Sequence, residues 1–294
     1  MANGVLMIDK PSGWTSMDVC AKVRGILHER RVGHGGTLDP MATGVLPVFV
    51  GRATRAVEFA MEGKKEYIAA LKLGVITNTQ DSTGEVLESC PVEVDRIQLE
   101  GVLDHFRGDI TQIPPMYSAI KIKGQKLYQL ARAGQEVERP ARPVTIYELE
   151  ILDQAPEGFP QETDTWYLRV RCSKGTYVRT LCHDIGQALG CGGCMSALRR
   201  TEASGYGLSR AVTLEQLQAA PDPAALLAPV DACFEEYPAV KIDGDALRKA
   251  RNGSPFVCAA ADGLWRVYGP DGAFLLLGRC TAGTMTTIKS FFEV

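Results

Sequence analysis

The sequence predicts an α+β fold: a large domain at residues 1–230 on a mixed, largely antiparallel central sheet, followed by a small β module at residues 237–294. Three observations support this prediction. Strand and helix patterns alternate irregularly, with neither an internal repeat nor a strict βαβ rhythm. Two strand patterns, at residues 144–152 and 166–172, are joined by a polar segment that favours antiparallel pairing. An Ala- and Pro-rich stretch at residues 219–229 is a candidate linker between the two parts.

The N-terminal elements follow from the spacing of the apolar residues. After Ser16, apolar residues recur at helical spacing as far as Leu27, and Thr15 or Ser16 is available as the N-cap. The remaining elements of this half are predicted, in chain order, as a buried strand at 44–50, a short helix at 53–61, an alternating strand at 67–73, a loop at 77–84, a helix at 99–106, a strand at 116–122 after two prolines, and a helix at 127–133 closed by Gly134.

In the C-terminal half, strict alternation at residues 166–172 points Trp166, Leu168, Val170 and Cys172 inward and Tyr167, Arg169 and Arg171 outward. The other elements predicted here are a helix that starts near Val178 and ends at Gly190, a helix at 213–218, a short helix at 247–251, a hairpin at 265–278 that turns on Pro270-Asp271-Gly272, and a final strand at 285–292.

Composition narrows the class of protein. The chain has 294 residues, of which 45% are hydrophobic and 23% charged, and this excludes a disordered chain. No run approaches the roughly 18 to 20 apolar residues of a membrane helix, and the N-terminus has no basic region followed by an apolar core. We therefore expect a cytoplasmic protein that does not enter membranes.

The nine cysteines are an odd number and mostly scattered, which favours reduced thiols over a disulfide framework. Residues 191–194 form one C-x-x-C pair, and Cys182 and His183 precede it closely enough to suggest a zinc site. No second C-x-x-C or H-x-x-x-H unit is present, and adjacent ligands are awkward on a helix. We expect a turn with idle or packed thiols, and no metal.

The cations form two clusters, although the net charge is −3. Phosphate contacts depend on where the cations lie and not on the total charge. The first basic cluster consists of Lys121, Lys123, Lys126, Arg132, Arg139 and Arg142, and the second of Arg169, Arg171, Lys174, Arg179, Arg199 and Arg200. Each cluster fits a solvated face as well as a nucleic-acid surface.

A single carboxylate, Asp39, lies in a loop that glycines and prolines punctuate, GHGGTLDPMATGVLPV at residues 33–48. Glycines before Asp39 permit positive φ angles and close backbone approach, and Pro40 drives Asp39 toward an extended conformation. Such a loop is usually an ordinary turn. It is also a suitable way to hold one acid close to a ligand.

The whole string resembles the signature of the bacterial TruB-type tRNA pseudouridine synthases, which isomerise uridine-55 in the T-loop of tRNA. Four further blocks resemble the family in the same order: IDKPSGWTS at 8–16, KKEYIAALKLGVITNTQDSTGE at 64–85, FRGDITQIPPMYSAIKIKGQKLYQLARAG at 106–134 and CSKGTYVRTLCHDIGQALGCGG at 172–193. The resemblance implies the pseudouridine synthase fold for the large domain. It also implies a PUA-like RNA-binding module at residues 237–294, where the sequence itself carries little specific signal.

The resemblance assigns three residues to the chemistry. Asp39 matches the essential catalytic aspartate, and Arg179 matches the arginine that pairs with it. A guanidinium beside a carboxylate would keep it ionised and aimed. Tyr67 matches the tyrosine that stacks on the flipped uracil and is proposed to help with the proton at C5, although a packed strand aromatic is the plainer interpretation.

Four more residues match positions that bind the substrate. His34 matches a histidine that fills the space left by the flipped nucleotide, and Asp81 matches an acid that contacts RNA. Tyr177 and Leu198 match residues that line the pocket. The plainer interpretations are a surface histidine, a turn-forming aspartate and two core residues.

The implied reaction breaks the N1–C1′ bond of uridine and rejoins the uracil through C5, so no atoms are gained or lost. It needs no redox partner, metal or nucleotide, and we expect no cofactor. The partner is tRNA, through its T-arm and T-loop, from which the target base has to be flipped out. We expect a monomer.

Three alternatives compete with this hypothesis. A catalytically silent tRNA binder is disfavoured because Asp39, Tyr67 and Arg179 are all present. A zinc deaminase is disfavoured because the H-x-E and P-C-x-x-C elements are absent. A glycoside hydrolase normally needs two facing carboxylates, and only Asp39 has a motif behind it.

Overall fold

The computed structural model describes residues 2–118, 120–122, 124–159 and 161–292. Within them the helices are α1 (Ser16–Leu27), α2 (Val57–Ala60), α3 (Arg96–Leu103), α4 (Leu127–Arg132), α5 (Val178–Ala188), α6 (Leu214–Ala219) and α7 (Gly244–Arg251). The strands are β1 (Gly4–Lys10), β2 (Val32–His34), β3 (Thr43–Val50), β4 (Lys65–Leu73), β5 (Val75–Thr77), β6 (Val86–Ser89), β7 (Gly108–Gln112), β8 (Lys121–Ile122), β9 (Gln125–Lys126), β10 (Arg142–Leu152), β11 (Thr165–Cys172), β12 (Gly193–Ala203), β13 (Tyr206–Gly207), β14 (Ala239–Lys241), β15 (Phe256–Val257), β16 (Gly263–Tyr268), β17 (Phe274–Thr281) and β18 (Thr284–Ser290).

The chain forms two compact units. The first unit comprises Met1–Asp39, Leu46–Met61 and Ser209–Val294, and the second comprises Pro40–Val45 and Glu62–Leu208. The domain boundaries at 1–230 and 237–294 stay a prediction. No helix among the described residues is both long enough and apolar enough to cross a membrane.

Helix α1 of the first unit begins where the sequence predicts. The Thr15 side chain accepts a hydrogen bond from the backbone of Asp18, and the Asp18 side chain accepts one from the backbone of Thr15. This capping box satisfies two donors that would otherwise have no partner at the helix start. The helix buries Val19, Cys20 and Val23, and β2 pairs antiparallel with the later residues of β3.

The C-terminal β module is a five-stranded sheet in the order β14-β16-β17-β18-β15. Its core includes Val267, Leu276 and Met285, which are buried. Within the first unit the module contacts the segment around α2: Lys289 pairs with Glu58 at 2.6 Å, and the Arg55 guanidinium donates to the Ser290 carbonyl at 2.8 Å. The predicted hairpin and final strand are confirmed here as β16, β17 and β18.

The second unit contains the sheet order β12-β4-β11-β10-β7, in which all neighbours are antiparallel. The first residues of β3 add a short parallel pairing with β12, so the sheet is mixed. The predicted α+β class with a largely antiparallel sheet is confirmed, as is the pairing of the two strands predicted at 144–152 and 166–172. Helix α5, also predicted, buries Val178, Leu181 and Ile185.

Strand β12 is the longest of the strands that the sequence did not reveal, which also include β1, β2, β5, β6, β7 and β14. Its pairing with β4 shifts register between Met195 and Ala197 and again between Arg200 and Glu202. Each β-bulge adds a residue to the strand and breaks the two-residue alternation by which a strand is recognised. The sequence GCMSALRRTEA therefore shows no strand pattern although it lies inside the sheet.

Four predictions were wrong in detail. The strand predicted at 116–122 is reduced to Lys121–Ile122, because Tyr117 and Ser118 direct their carbonyls to Arg179 and to the Tyr128 backbone instead of a ladder. Tyr167 is buried under Phe159, with the rings edge to face 6.1 Å apart, instead of facing outward.

The stretch at residues 219–229 is not a free linker. Val5 and Ala228 exchange two backbone hydrogen bonds of 2.8 Å, and Pro223–Leu226 forms a 3-10 helix. The short helix predicted at 53–61 divides into a 3-10 helix, Gly51–Ala56, and α2.

Candidate active site

The loop before Asp39 is held from one side by Ser16, in the first unit. The Ser16 hydroxyl accepts a hydrogen bond from the Leu38 backbone N–H at 2.9 Å and donates to the Leu38 carbonyl at 3.1 Å. Leu38 is buried, whereas Asp39 is half-buried. The backbone next to Asp39 is therefore fixed, and Asp39 itself is half-buried.

The segment after Asp39 is held separately, within the second unit. Gly44 has φ +100° and lies so close to β12 that a Cβ atom there would be 2.1 Å from the Arg200 carbonyl oxygen. The buried Arg200 side chain donates from Nε to the Val45 carbonyl at 2.7 Å. Glycine is therefore required at position 44, and Arg200 and Gly44 fix the chain five residues beyond Asp39.

Arg179 lies in the first turn of α5, where a cation opposes the helix dipole. Three acceptors compensate for this unfavourable interaction with the helix dipole. The guanidinium contacts the Asp81 carboxylate at 3.6 Å, the Thr79 carbonyl at 3.1 Å and the Tyr117 carbonyl at 2.9 Å. The Arg179 and Asp81 side chains are only 6% and 7% exposed, so this is a buried ion pair.

Asp81 is fixed by its own loop as well as by Arg179. One carboxylate oxygen accepts hydrogen bonds from the Thr79 hydroxyl at 2.9 Å and from the Thr83 hydroxyl at 2.6 Å and backbone at 3.0 Å. The other oxygen is the one that faces Arg179. The turn-forming role that the sequence suggested is therefore present, together with a partnership that it did not suggest.

The start of α5 is capped from another element. Tyr177 occupies the N-cap position without a side-chain cap of its own, and its backbone N–H donates to the Gln112 amide oxygen at 3.0 Å. The Gln112 amide nitrogen returns a bond of 3.2 Å to the Tyr177 carbonyl. Gln112, at the end of β7, thus sets where α5 begins and where Arg179 is placed.

Tyr67 and Leu198 lie on the neighbouring strands β4 and β12. Tyr67 is opposite Arg200 in one pairing and Val170 in the other, and Leu198 is opposite Ala69. Because directly opposed residues share a face of a sheet, these side chains lie on one face. All are buried.

Burial also affects the neighbouring cation on this face. Lys65, two residues before Tyr67, is buried, and its amine donates to the Gly63 carbonyl at 3.1 Å. Burial, with the nearby charge of Arg200 as the next cause, lowers the pKa of Lys65. The charged form of the Lys65 amine is therefore disfavoured in this environment.

The predicted site residues divide between the units. Tyr67, Asp81, Tyr177, Arg179 and Leu198 belong to the second unit, whereas His34, on β2 opposite Val48, and Asp39 belong to the first. The sequence named Arg200 only as a member of the second basic cluster and did not indicate Gln112, because a buried polar residue in a strand without alternation gives no signal. Ser16 was noted only as a helix cap.

Within the described residues, no group of three or more histidine, cysteine, aspartate or glutamate side chains is arranged to hold a metal ion. The nine cysteines are free thiols. Burial raises the pKa of the Cys194 thiol to about 11.

The two basic clusters differ in their partners. In the first basic cluster, Lys121 and Lys126 are directly opposite each other in the β8–β9 hairpin. Lys126 and Arg132 lie 5.5 Å and 5.6 Å from the Tyr128 ring centre. Lys123, which belongs to this cluster, lies outside the described residues.

In the second basic cluster, the strand cations are paired with acids. Arg169 contacts Glu150 at 3.4 Å and Arg171 contacts Glu148 at 3.2 Å, both across the β10–β11 pairing. Lys174 pairs with Glu62. The later members of this cluster are Arg179, Arg199 and Arg200, of which Arg179 and Arg200 are buried.

Comparison with known proteins gives a consistent result over most of the chain. Two family models match in succession: the N-terminal domain of TruB family pseudouridylate synthases at residues 24–178, and the C-terminal domain of tRNA pseudouridylate synthase B at residues 179–235. Among curated relatives, tRNA pseudouridine synthase B of Azoarcus sp. (strain BH72) is 47% identical over 296 residues, covering 97% of this chain and 93% of the relative. The protein of the same name from Stutzerimonas stutzeri (strain A1501) is 46% identical over 284 residues, covering 94% and 91%.

Solved structures with a similar fold include an H/ACA ribonucleoprotein bound to a substrate RNA containing 2′-deoxyuridine. That chain has a TM-score of 0.72 and 25% identity, with 99% of this chain and 86% of the other covered. A Cbf5-Nop10-Gar1 complex has a TM-score of 0.72 and 27% identity, with 99% and 85% covered.

Proposed function

The chain belongs to the TruB family of pseudouridylate synthases, and from this premise we propose that it isomerises uridine-55 in the T-loop of tRNA to pseudouridine. It is an isomerase, as its family is. The reaction breaks the N1–C1′ bond, turns the uracil and forms a C5–C1′ bond. The C5 proton leaves to solvent and N1 gains a proton, so no atoms or electrons are gained or lost.

One observation supports the catalytic assignment most: Asp39 is a half-buried carboxylate between two independently fixed backbone positions. Leu38, just before it, is held by Ser16, and Gly44 is held against Arg200. A carboxylate on a fixed backbone loses little freedom when it engages a substrate. We propose that Asp39 is the catalytic residue and acts at the target nucleoside, on the sugar or on the base.

Binding of the target nucleotide is proposed for the residues that the family motifs match. A base flipped out of the T-loop needs replacement stacking, which the Tyr67 ring supplies in this proposal. Tyr177 and Leu198 line the pocket for the base, and His34 fills the space that the flipped nucleotide leaves. Burial of Tyr67 and Leu198 on one sheet face, beside the Arg200 that lies opposite Tyr67, supports a rigid stacking platform here.

Arg179 is proposed to keep the Asp39 carboxylate ionised and aimed, as the family motif implies. Its fixed fork of donors suits this task, because Asp81 and two backbone carbonyls already hold the guanidinium in one orientation. Asp81 supports Arg179 in this arrangement, and its matched contact with RNA is part of the same proposal.

The tRNA backbone is proposed to bind at the first basic cluster. Lys121 and Lys126 face each other across a hairpin, and like charges directly opposite destabilise a strand pair unless an anion lies nearby. A chain of phosphates provides such anions. The proposal also includes the T-arm as the recognised part of tRNA, a catalytic domain at residues 1–230 and a PUA-like RNA-binding role for residues 237–294. It further includes a cytoplasmic location and a monomeric state.

The test is release of tritium from a tRNA transcript that carries C5-tritiated uridine. Wild-type protein is expected to release tritium to water, and Asp39→Asn is expected to lower the rate by at least about 10³-fold while tRNA binding persists. Asp153→Asn, which alters an exposed carboxylate that pairs with Arg96, is the matched control and should act like the wild type. No release from the wild type would leave a tRNA-binding protein and overturn the enzymatic proposal.

A further inference from the structure

The loop that carries Asp81 contains a residue in an unfavourable backbone conformation. Gln80 has φ +64°, in the left-handed region that residues with a Cβ atom rarely occupy. Such a conformation persists only when the surroundings determine it strongly, and it is commonest at functional sites. Glycine or asparagine would adopt this φ at lower conformational cost. The presence of glutamine at position 80 therefore has to be explained by the contacts of its side chain.

Three hydrogen bonds hold Gln80, and each ends on a different element. Its backbone N–H donates to the Thr77 carbonyl at 3.2 Å, and its carbonyl accepts from the Met195 backbone of β12 at 3.1 Å. Its side-chain oxygen accepts from the Thr180 hydroxyl of α5 at 2.8 Å. The two ends of the residue thus tie the loop to both the sheet and the helix.

Thr180 lies in the first turn of α5, where the residue four positions earlier is not part of the helix. The common bond from a helical threonine to that carbonyl of its own helix therefore has no acceptor here. The buried Thr180 hydroxyl donates to the loop, and Thr180 directly follows Arg179. Gln80 directly precedes Asp81, so the Thr180–Gln80 bond lies beside the Arg179–Asp81 ion pair and connects the same two elements.

We propose that Gln80 is a positioning residue: through Thr180 it sets the distance between α5 and the loop, and so keeps Asp81 and Arg179 in contact. The inference rests on the proposed function, because it adds a supporting contact to the same site. The Arg–Asp contact of 3.6 Å tolerates displacement, whereas the Thr180–Gln80 hydrogen bond of 2.8 Å is directional. Together with the bond of 3.1 Å from Arg179 to the Thr79 carbonyl, it holds α5 against the loop. Gln80 itself need not touch RNA.

The test uses Thr180→Val, which has nearly the same shape and lacks the hydroxyl. The kcat for pseudouridine formation is expected to fall about tenfold, while KM for tRNA changes less than about twofold and Tm by less than about 2 °C. Thr180→Ser restores the hydroxyl and is expected to restore kcat. Gln80→Ala is expected to lower kcat as much as Thr180→Val, and the double variant no further, because both remove one bond.

A matched control is Thr145→Val, which removes a threonine hydroxyl that donates to the Asp109 side chain at 2.7 Å and ties β10 to β7. It should keep the wild-type kcat. The decisive measurement repeats Thr180→Val in an Asp81→Asn background, where the fall in kcat should shrink to less than about twofold, because the pair that the bond positions is already weakened.

An unchanged kcat in Thr180→Val, or an equal tenfold loss in both backgrounds, would overturn the inference. If Thr180→Val does not fold, Gln80→Ala and Thr180→Ser decide the matter in the same way. A wild-type protein that releases no tritium would instead overturn the proposed function, so the two failures are distinguishable.

Discussion

The two basic clusters contain six cations each in the sequence, but the folded chain surrounds them with different charges. In the first basic cluster, Lys121 and Lys126 of the hairpin and Arg132 of α4 form no ion pair with any described residue, and the two lysines face each other. Arg139 of the same cluster does pair, with Glu136 at 3.1 Å. On β11 of the second basic cluster, Arg169 and Arg171 are each opposite a glutamate of β10. A cation with a nearby acid has much of its field cancelled, and one without keeps it for an external anion.

Within the second basic cluster, the arginines also differ in how far their side chains are buried. Its strand arginines are partly exposed and paired, whereas Arg179 is buried and held by Asp81 and by carbonyls. Exposed pairs contribute little to stability, and buried ones contribute strongly once a partner is removed. The comparison therefore predicts three levels of response: a large effect at Arg179, an RNA-specific effect in the hairpin, and almost none on β11.

The largest effect is expected for Arg179→Ala. Removing the guanidinium leaves the buried Asp81 carboxylate without its cation, so the free energy of unfolding should fall by about 3 kcal/mol. Urea denaturation measures this loss. The double variant with Asp81→Asn should recover part of it, and a single variant as stable as the wild type would contradict the assignment of a buried ion pair.

Arg179→Lys separates charge from geometry at the same position. Lysine keeps the charge but lacks the planar fork that reaches Asp81 and the Tyr117 carbonyl together. We expect kcat in the tritium assay to fall by about 10²-fold with tRNA affinity within about threefold of the wild type. Wild-type turnover in this variant would show that only the charge matters.

The next effect is expected for the triple variant Lys121→Ala, Lys126→Ala and Arg132→Ala. Removing three unpaired cations should raise the Kd for tRNA about 10- to 100-fold and reduce the slope of log Kd against log salt by about 2. Fluorescence anisotropy across salt concentrations measures both values.

The matched control for the hairpin is the triple variant Arg169→Gln, Arg171→Gln and Lys174→Gln. It removes the same number of charges, but each of them is paired with a glutamate. Its Kd should rise less than about threefold and its salt slope should stay within about 0.5 of the wild type. Equal responses of the two triple variants would remove the distinction between the clusters.

A smaller effect is expected for Tyr128→Leu. The Tyr128 ring lies beside Lys126 and Arg132 at cation–π distance and restricts where their charges are. Leucine keeps apolar bulk without the ring face, so the Kd for tRNA should rise about two- to fivefold while the salt slope is unchanged. A changed slope would mean that the phosphate contacts themselves were lost.

The smallest effect is expected for Arg171→Gln alone. The Arg171 and Glu148 side chains are 36% and 45% exposed, so water screens the pair. The free energy of unfolding should change by less than about 0.5 kcal/mol in urea denaturation. If the free energy of unfolding fell by about 2 kcal/mol or more, the Arg171–Glu148 pair would contribute to stability as a buried pair does.

Local signals predicted much of the fold. The Thr15 cap, the helical spacing of α5 and the alternation of β11 each depend on neighbouring residues, and all three elements are present. Strand β12 was not predicted because its bulges remove the alternation, and Tyr167 is buried instead of exposed because Phe159 covers it from outside the strand. Both errors have one cause: partners distant in sequence override the local pattern.

The candidate site shows the same contrast between local sequence signals and partners that are distant in sequence. The motif strings brought Asp39, Tyr67 and Arg179 to attention, because glycines, prolines and aromatic residues at fixed spacing are visible in a single chain. Arg200 was noted only as a member of a basic cluster, and Gln112 was missed. Their roles depend on backbone groups far away in sequence: the Val45 carbonyl for Arg200, and the N–H and carbonyl of Tyr177 for Gln112. The spacing of residues along the sequence does not reveal such a contact between a side chain and a distant backbone group.

The sequence by itself determined the α+β class, most helix starts, the candidate acid and the positions of the cations. Only the tertiary structure decided which cations are neutralised. The acids that pair with β11 come from β10, about 20 residues earlier, whereas the hairpin brings Lys121 opposite Lys126 and no acid. Coulomb energy depends on distance in space, and folding, not order along the chain, sets that distance.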